Sequence, residues 1–175
     1  MKILVTGATG FTGHNLSKKL LSDGHEVRLL VRSAARVMLP ESSSLEVIEG
    51  DIRDRGSVER AVAGCEKVFN IAAMFRTAGS VDQDYRDIHV KGTRYLLEAA
   101  VENGVKRFVH CSTVGVHGDV KEPPAREDSP YAPADIYQRT KLEGSCLPMS
   151  LPGKMILPCP WYAPLQYMAP VTCGC

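Results

Sequence analysis

The sequence predicts an α/β fold, a doubly wound parallel sheet, and three observations carry that prediction. Short β-rich apolar runs alternate with segments of helical period from residue 2 to residue 111, the pattern of strand-helix-strand crossovers. A glycine-rich turn, Thr6-Gly7-Ala8-Thr9-Gly10-Phe11-Thr12-Gly13, follows the first apolar run and precedes a helical one. The chain has 175 residues. A chain of that size buries roughly 70% of the area its unfolded state exposes, enough for one core and not for two.

Each element follows from local signals. The first strand is Lys2 to Val5, and the helix after the glycine turn spans Gly13 to Ser22, with Leu16, Leu20 and Leu21 on one face and Gly24 as its stop. The second strand is Glu26 to Val31 and, after a serine-rich loop, the third is Leu45 to Glu49. A short helix from Ser57 to Ala63 is expected to start at its serine and to end before Gly64. The fourth strand is Lys67 to Ile71. A long helix from Asp84 to Asn103 sets Val90, Leu97 and Val101 on one face and closes at Gly104. The fifth strand is Arg107 to Cys111, and the polar loop from Gly118 to Pro133 leads into a helix that includes Asp135 to Glu143. In such a sheet ligands bind at the carboxyl ends of the strands.

Composition narrows the function. Lys and Arg number 21 against 20 Asp and Glu, a net charge of +1 with no cationic excess, so no nucleic acid and no polybasic membrane surface is expected as a partner. After Met1-Lys2 only Ile3-Leu4-Val5 is apolar, too short for a secretory leader, and no stretch has the length of a membrane span; a cytoplasmic location is expected. Cysteines stay reduced there, and Cys65 and Cys111 read as small buried hydrophobes. No metal site is expected, since Cys173-Gly174-Cys175 has no histidine or second pair at ligand spacing. From Ser145 onward the text changes: 31 residues hold one charged side chain, Lys154, yet six of eleven prolines and four of six cysteines. The expected division is a nucleotide-binding domain over 1–144 and an atypical Pro/Cys-rich tail over 145–175, aberrant or disordered, in which Pro148 and Pro152 stop the last helix and Met155-Ile156-Leu157 is a candidate sixth strand.

The chemistry-bearing motifs lie where the fold puts ligands. Gly7, Thr9, Gly10, Phe11 and Gly13 form a turn whose amides, with the helix dipole behind them, can hold a pyrophosphate. About 20 residues on, where sites for NAD place a carboxylate on the ribose, stands Arg32, followed by Ser33 and Arg36; a guanidinium there suits a 2′-phosphate, so the cofactor reads as NADP in preference to NAD. Tyr137 and Lys141 are four apart on one helical face, where an ammonium can lower a phenol's pKa. Ser112 and Thr113 end the fifth strand with two hydroxyls able to bond a substrate carbonyl or the local backbone.

Taken in order, these segments resemble the extended short-chain dehydrogenase/reductase family, the NAD(P)-dependent epimerases, dehydratases and dihydroflavonol-reductase-like enzymes. The resemblance covers residues 1–144 and rests on Thr6 to Gly13, Gly50-Asp51-Ile52-Arg53-Asp54, Asn70-Ile71-Ala72-Ala73, Val90-Lys91-Gly92-Thr93 with Leu96 to Ala100, Phe108 to Gly118, and Tyr137 to Lys141. It implies a Rossmann-type domain lacking most of the family's carboxyl-terminal substrate subdomain. It also implies that Asp51 and Ile52 border the adenine, that Ala72 and Ala73 line the cofactor cleft, and that Lys141 bonds the nicotinamide ribose while tuning Tyr137. The catalytic set it implies is Thr113, Tyr137 and Lys141, with Ser112 as neighbour. The activity implied is hydride transfer at a hydroxyl or carbonyl carbon of a sugar nucleotide or similar small molecule; the alternatives are a non-catalytic dinucleotide sensor or an inactive truncated product. Homodimers through the long helix and the Tyr137 helix are common in such families. One departure stands out: His89 occupies the position where the family commonly has Asn, and on a mostly apolar helix it reads as a packed, hydrogen-bonded core residue.

Overall fold

A computed structural model describes residues 1–147 apart from Arg76, Glu122 and Glu127. The elements in order are β1 (Lys2–Thr6), α1 (Phe11–Ser22), β2 (Glu26–Val31), β3 (Leu45–Glu49), α2 (Arg55–Val62), β4 (Lys67–Asn70), α3 (Asp82–Arg86), a π-helical turn (Asp87–Gly92), α4 (Thr93–Glu102), β5 (Arg107–His110) and α5 (Ile136–Ser145). Short 3₁₀ turns follow β2 at Ala34–Arg36 and β5 at Val114–His117. The expected sixth strand and most of the tail lie outside the described residues.

The five strands make one parallel sheet in the order β3-β2-β1-β4-β5, so the chain reverses direction of winding beside β1. Successive side chains of a strand point to opposite faces. In β1, Leu4 enters a core with Leu30, Val58, Val62, Leu96 and Phe108, while Ile3 and Val5 enter another with Leu20, Val27 and Leu29. Helix α1 therefore covers one face and α2 and α4 the other. Burial on both sides is why the central strands read as continuous apolar runs without alternation. No helix among the described residues is long and apolar enough to cross a membrane.

Three expectations about elements need correction. Helix α2 starts at Arg55, because Asp54 caps it by accepting from the Ser57 amide at 2.8 Å; Ser57 is the third residue inside, not the cap. The long helix runs from Asp82 to Glu102 through the π turn, which holds an extra residue. Its buried positions step through that turn by fours, Tyr85, His89 and Thr93, and then continue as Leu96, Leu97 and Ala100. Val101, expected on the buried face, is 41% exposed. Helix α5 ends at Ser145.

Candidate functional site

The site is assembled where β1 and β4 end. Thr6 closes β1 with a hydroxyl that donates to Asn70 Oδ1 at 2.9 Å and accepts from the amides of Ile71 and Ala72 at 3.2 and 3.1 Å. One hydroxyl thus ties the two central strands together where they fray into loops. Gly7 follows at φ 72°, and a Cβ there would stand 2.7 Å from the Ala72 amide nitrogen. Gly13, in the first turn of α1, passes so close to Gly7 that any side chain would meet the Gly7 carbonyl. Both glycines are demanded by space, not by flexibility alone.

The resulting turn leaves Thr9, Gly10 and Phe11 exposed, Phe11 at 83%. Helix α1 starts with Gly10 as its N-cap, no side chain caps it, and its first turn holds no acidic residue. The first amides of a helix have no partner within it. An uncapped, acid-free amino terminus in a cradle that admits only glycine fits the pyrophosphate of a dinucleotide.

Beyond the cradle the expected cofactor residues line the same sheet edge. Arg32 is exposed at the carboxyl end of β2. Burial works to raise the pKa of Asp51, but two side-chain bonds from Arg53, at 3.0 and 2.7 Å, and one from its amide overcome it and hold the carboxyl below its usual range. Ile52 is only 7% exposed, packs under Gly92 and belongs to the core cluster. Ala72 is half-buried and Ala73 exposed in the loop after β4.

The catalytic candidates meet between β5 and α5. Thr113 caps the 3₁₀ turn after β5, its hydroxyl accepting from the Gly115 amide at 3.2 Å, and it acts on the Tyr137 phenol by favouring its ionised form. Ser112 is 5% exposed and accepts from the Ser145 hydroxyl at 3.0 Å, so it faces α5 and belongs to the packing. Tyr137 is half-buried, with Phe75 edge-on at 4.9 Å between ring centroids and His89 at 5.5 Å. Lys141, one turn on, is 1% exposed and donates to the Cys111 carbonyl.

The electrostatics differ from what the four-residue spacing suggests. Burial, with smaller contributions from Cys111 and Asp135, holds the Tyr137 phenol above its ordinary pKa, and the Thr113 hydroxyl only partly offsets this. Burial also pushes Lys141 down to about 8. Its ammonium donates to the Cys111 carbonyl and is not among the causes that set the phenol's pKa.

Beneath these groups lies a polar network that the spacing of motifs did not reveal. Asn70 Nδ2 donates to Thr93 Oγ1 at 3.0 Å and to His110 Nδ1 at 3.1 Å, which uses both amide hydrogens and places the His110 proton on Nε2. That Nε2 has no partner among the described residues, and burial, with the charge of Lys141, holds the imidazole well below its ordinary pKa. His89, 1% exposed, accepts from the Met74 amide at Nε2 (3.0 Å) and pairs with Thr140 Oγ1 at Nδ1 (2.8 Å). The only sequence signals for these residues were polar side chains closing apolar strands, Thr6 and Asn70, and a histidine on an apolar helix. No group of metal-ligating residues occurs among the described residues.

Comparison with known proteins shows the family. The model of the NAD dependent epimerase/dehydratase family matches residues 3–147. Sterol demethylase protein B of Methylococcus capsulatus is 38% identical over 144 residues, which cover 81% of this chain and 44% of that protein. The Bordetella bronchiseptica enzyme WbmG, solved with NAD and UDP, superposes with a TM-score of 0.79 at 30% identity, over 87% of this chain and 50% of that one. The UDP-glucose 4-epimerase of Thermotoga maritima, solved with UDP-glucose, gives 0.74 at 30% identity, over 83% and 49%. The chain thus spans about half the length of each of these proteins, or less.

Proposed function

Because the chain belongs to the NAD dependent epimerase/dehydratase family, we propose that it binds a nicotinamide dinucleotide along the carboxyl edge of its sheet and acts as an oxidoreductase or epimerase on a hydroxyl or carbonyl carbon. The substrate class is a sugar nucleotide or a comparable small alcohol or ketone, as the ligands of the solved relatives suggest. The observation that carries the reading is the meeting of Thr113 and Tyr137 over a buried Lys141, on the same sheet edge as the glycine cradle.

When bound, the nicotinamide supplies a site for hydride. The chain's own residues handle position and proton. Gly7, Gly13 and the amides opening α1 seat the pyrophosphate, and Thr9, Gly10, Phe11, Asp51, Ile52, Ala72 and Ala73 border the rest. Thr113 holds the substrate oxygen against the Tyr137 phenol. A phenol held above its ordinary pKa stays protonated at neutral pH, which suits donation to a carbonyl oxygen. Accepting a proton from an alcohol needs a lower pKa, and a ligand that draws the Lys141 ammonium from the Cys111 carbonyl towards the phenol supplies it. Arg32, exposed past β2 with Arg36 on the following turn, favours NADP over NAD.

Replacing Tyr137 with Phe tests the assignment. The variant is expected to lose roughly 10²-fold or more in turnover of a nucleotide-sugar and hydroxysteroid panel. Its affinity for the dinucleotide should stay within about twofold, since the hydroxyl is not part of the cradle. Turnover equal to that of the unaltered chain would overturn the catalytic reading and leave a dinucleotide-binding module.

A further inference from the structure

We propose that His89 is a positioning residue for Tyr137, a single imidazole that ties the Met74–Phe75 loop and helix α5 to one point and thereby closes two rings around the phenol. This rests on the reading of Tyr137 as the proton-transfer group. Four contacts converge on the side chain. Nε2 accepts from the Met74 amide at 3.0 Å, so in the neutral ring the proton sits on Nδ1 and is donated to Thr140 Oγ1 at 2.8 Å. Thr140 passes its own hydrogen to the Ile136 carbonyl at 2.8 Å, completing the chain with no donor or acceptor unmatched. The ring stands edge-to-face with Tyr137 at 5.5 Å and 78°, and with Tyr85 at 5.9 Å and 65°.

The geometry makes this more than filling. Met74 precedes Phe75, whose ring stands edge-on to Tyr137 at 4.9 Å, so the bond at Nε2 places one wall of the phenol pocket while the imidazole itself is another. His89 lies in the π-helical turn, and its backbone carbonyl touches α5 where Gly144 leaves no room for a side chain. Ring and backbone thus both bear on the helix that carries Tyr137. An asparagine amide is too short to reach the loop amide and the Thr140 hydroxyl together, whereas the two nitrogens of an imidazole stand on opposite sides of the ring. The titratable groups facing His89 are Tyr85, Tyr137, Lys141 and His110.

Nuclear magnetic resonance on the full chain, with neither cofactor nor substrate, decides the matter. With ¹⁵N-histidine, His89 is expected as the Nδ1–H tautomer with no titration near pH 6.5; the Nε2–H tautomer, or ordinary titration, overturns the proposal. With ¹³Cζ-tyrosine, His89→Phe keeps a ring but breaks both hydrogen bonds, and is expected to lower the Tyr137 pKa by about half a unit or more as the phenol gains solvent. His89→Gln, which restores an acceptor for the Met74 amide, should recover part of that change. An unchanged Tyr137 titration in His89→Phe means that His89 only fills space, and overturns the proposal. If His89→Phe does not fold, Thr140→Val removes the hydroxyl end alone and gives the same reading. Neither measurement uses turnover, so a Tyr137→Phe variant that remains active would sink the proposed function and leave this result standing.

Discussion

Two imidazoles are buried beside a lysine ammonium with no carboxylate among the causes that set their titration, and that arrangement governs how the fold responds to acid. Burial first, and then the Lys141 charge, pushes His89 down to about 3 and His110 well below its ordinary value. A base whose folded pKa is depressed binds fewer protons in the native state than in the unfolded one. Its stabilising contribution is therefore complete above pH 6.5 and is lost as the pH falls through the unfolded value. Stability is expected to fall between pH 6 and 4.5 by up to about 1.4 kcal/mol per pH unit for each histidine. Denaturant unfolding across that range checks it, and His89→Gln should roughly halve the slope. A flat profile would mean that the imidazoles reach water. Lys141 acts in the opposite part of the scale: its charge is unfavourable to the fold until the pH passes about 8 and the native state sheds it. The pairing of Tyr137 with Lys141 on one helix and of Ser112 with Thr113 at a strand end could be read from the sequence, because helical spacing and a strand terminus are local signals. The Thr6–Asn70 bond joins residues 64 apart, and His89 and Thr140 are 51 apart, so no spacing rule points to either.

Helix α5 carries both Tyr137 and Lys141, and its start is set by Asp135. The Asp135 carboxylate accepts from the Gln138 amide at 2.7 Å, while Gln138 Oε1 accepts from the Ala134 amide at 2.6 Å, a reciprocal clasp on the first turn. Asp135→Ala is expected to cost about 1 kcal/mol of stability. Asp135→Ser should recover most of it, since a hydroxyl also caps; equal stability of Asp135→Ala and the unaltered chain in denaturant melts would show that the clasp does not hold the helix. A different device holds α2. Arg28 reaches from β2 to the carbonyls of Ala61 and Ala63 at 2.9 and 2.6 Å, and its Nε pairs with Glu46 on β3 at 2.9 Å. A cation at a helix carboxyl end meets the negative pole of the dipole. Among elements, the strands and most helix stops were legible from apolar runs and glycines. The π turn was not, because its extra residue breaks the period on which a helical face is recognised; Val101 lies in the regular helix after it, where Leu96 and Ala100 take the middle of the buried face and leave Val101 at its edge.

For the molecule as a whole, the decisive property is that the polarity of a parallel sheet gathers function at one edge. That much was readable from the sequence, since parallel strands follow from the alternation of elements. Cofactor binding should stabilise the entire domain, because the cradle ties β1, α1 and the loop after β4. At a concentration 100 times the dissociation constant the gain is about 2.7 kcal/mol, roughly 5–10 °C in melting temperature for a domain of this size. If Arg32 reads a 2′-phosphate, NADPH should raise the melting temperature more than NADH at equal concentration, and Arg32→Ala should remove the difference. Equal shifts in the unaltered chain would reject the preference for NADP.

The opposite edge is built for a different purpose. Gly24, Gly64 and Gly104, each with positive φ, turn the chain from α1, α2 and α4 back into a strand, and a Cβ at any of them would meet nothing within 4 Å. Those three turns stand at the amino ends of the strands, the length of the strands away from the edge that carries Tyr137. They are the natural places to attach a fluorophore, splice in an affinity tag or open the chain for circular permutation while leaving the chemistry undisturbed.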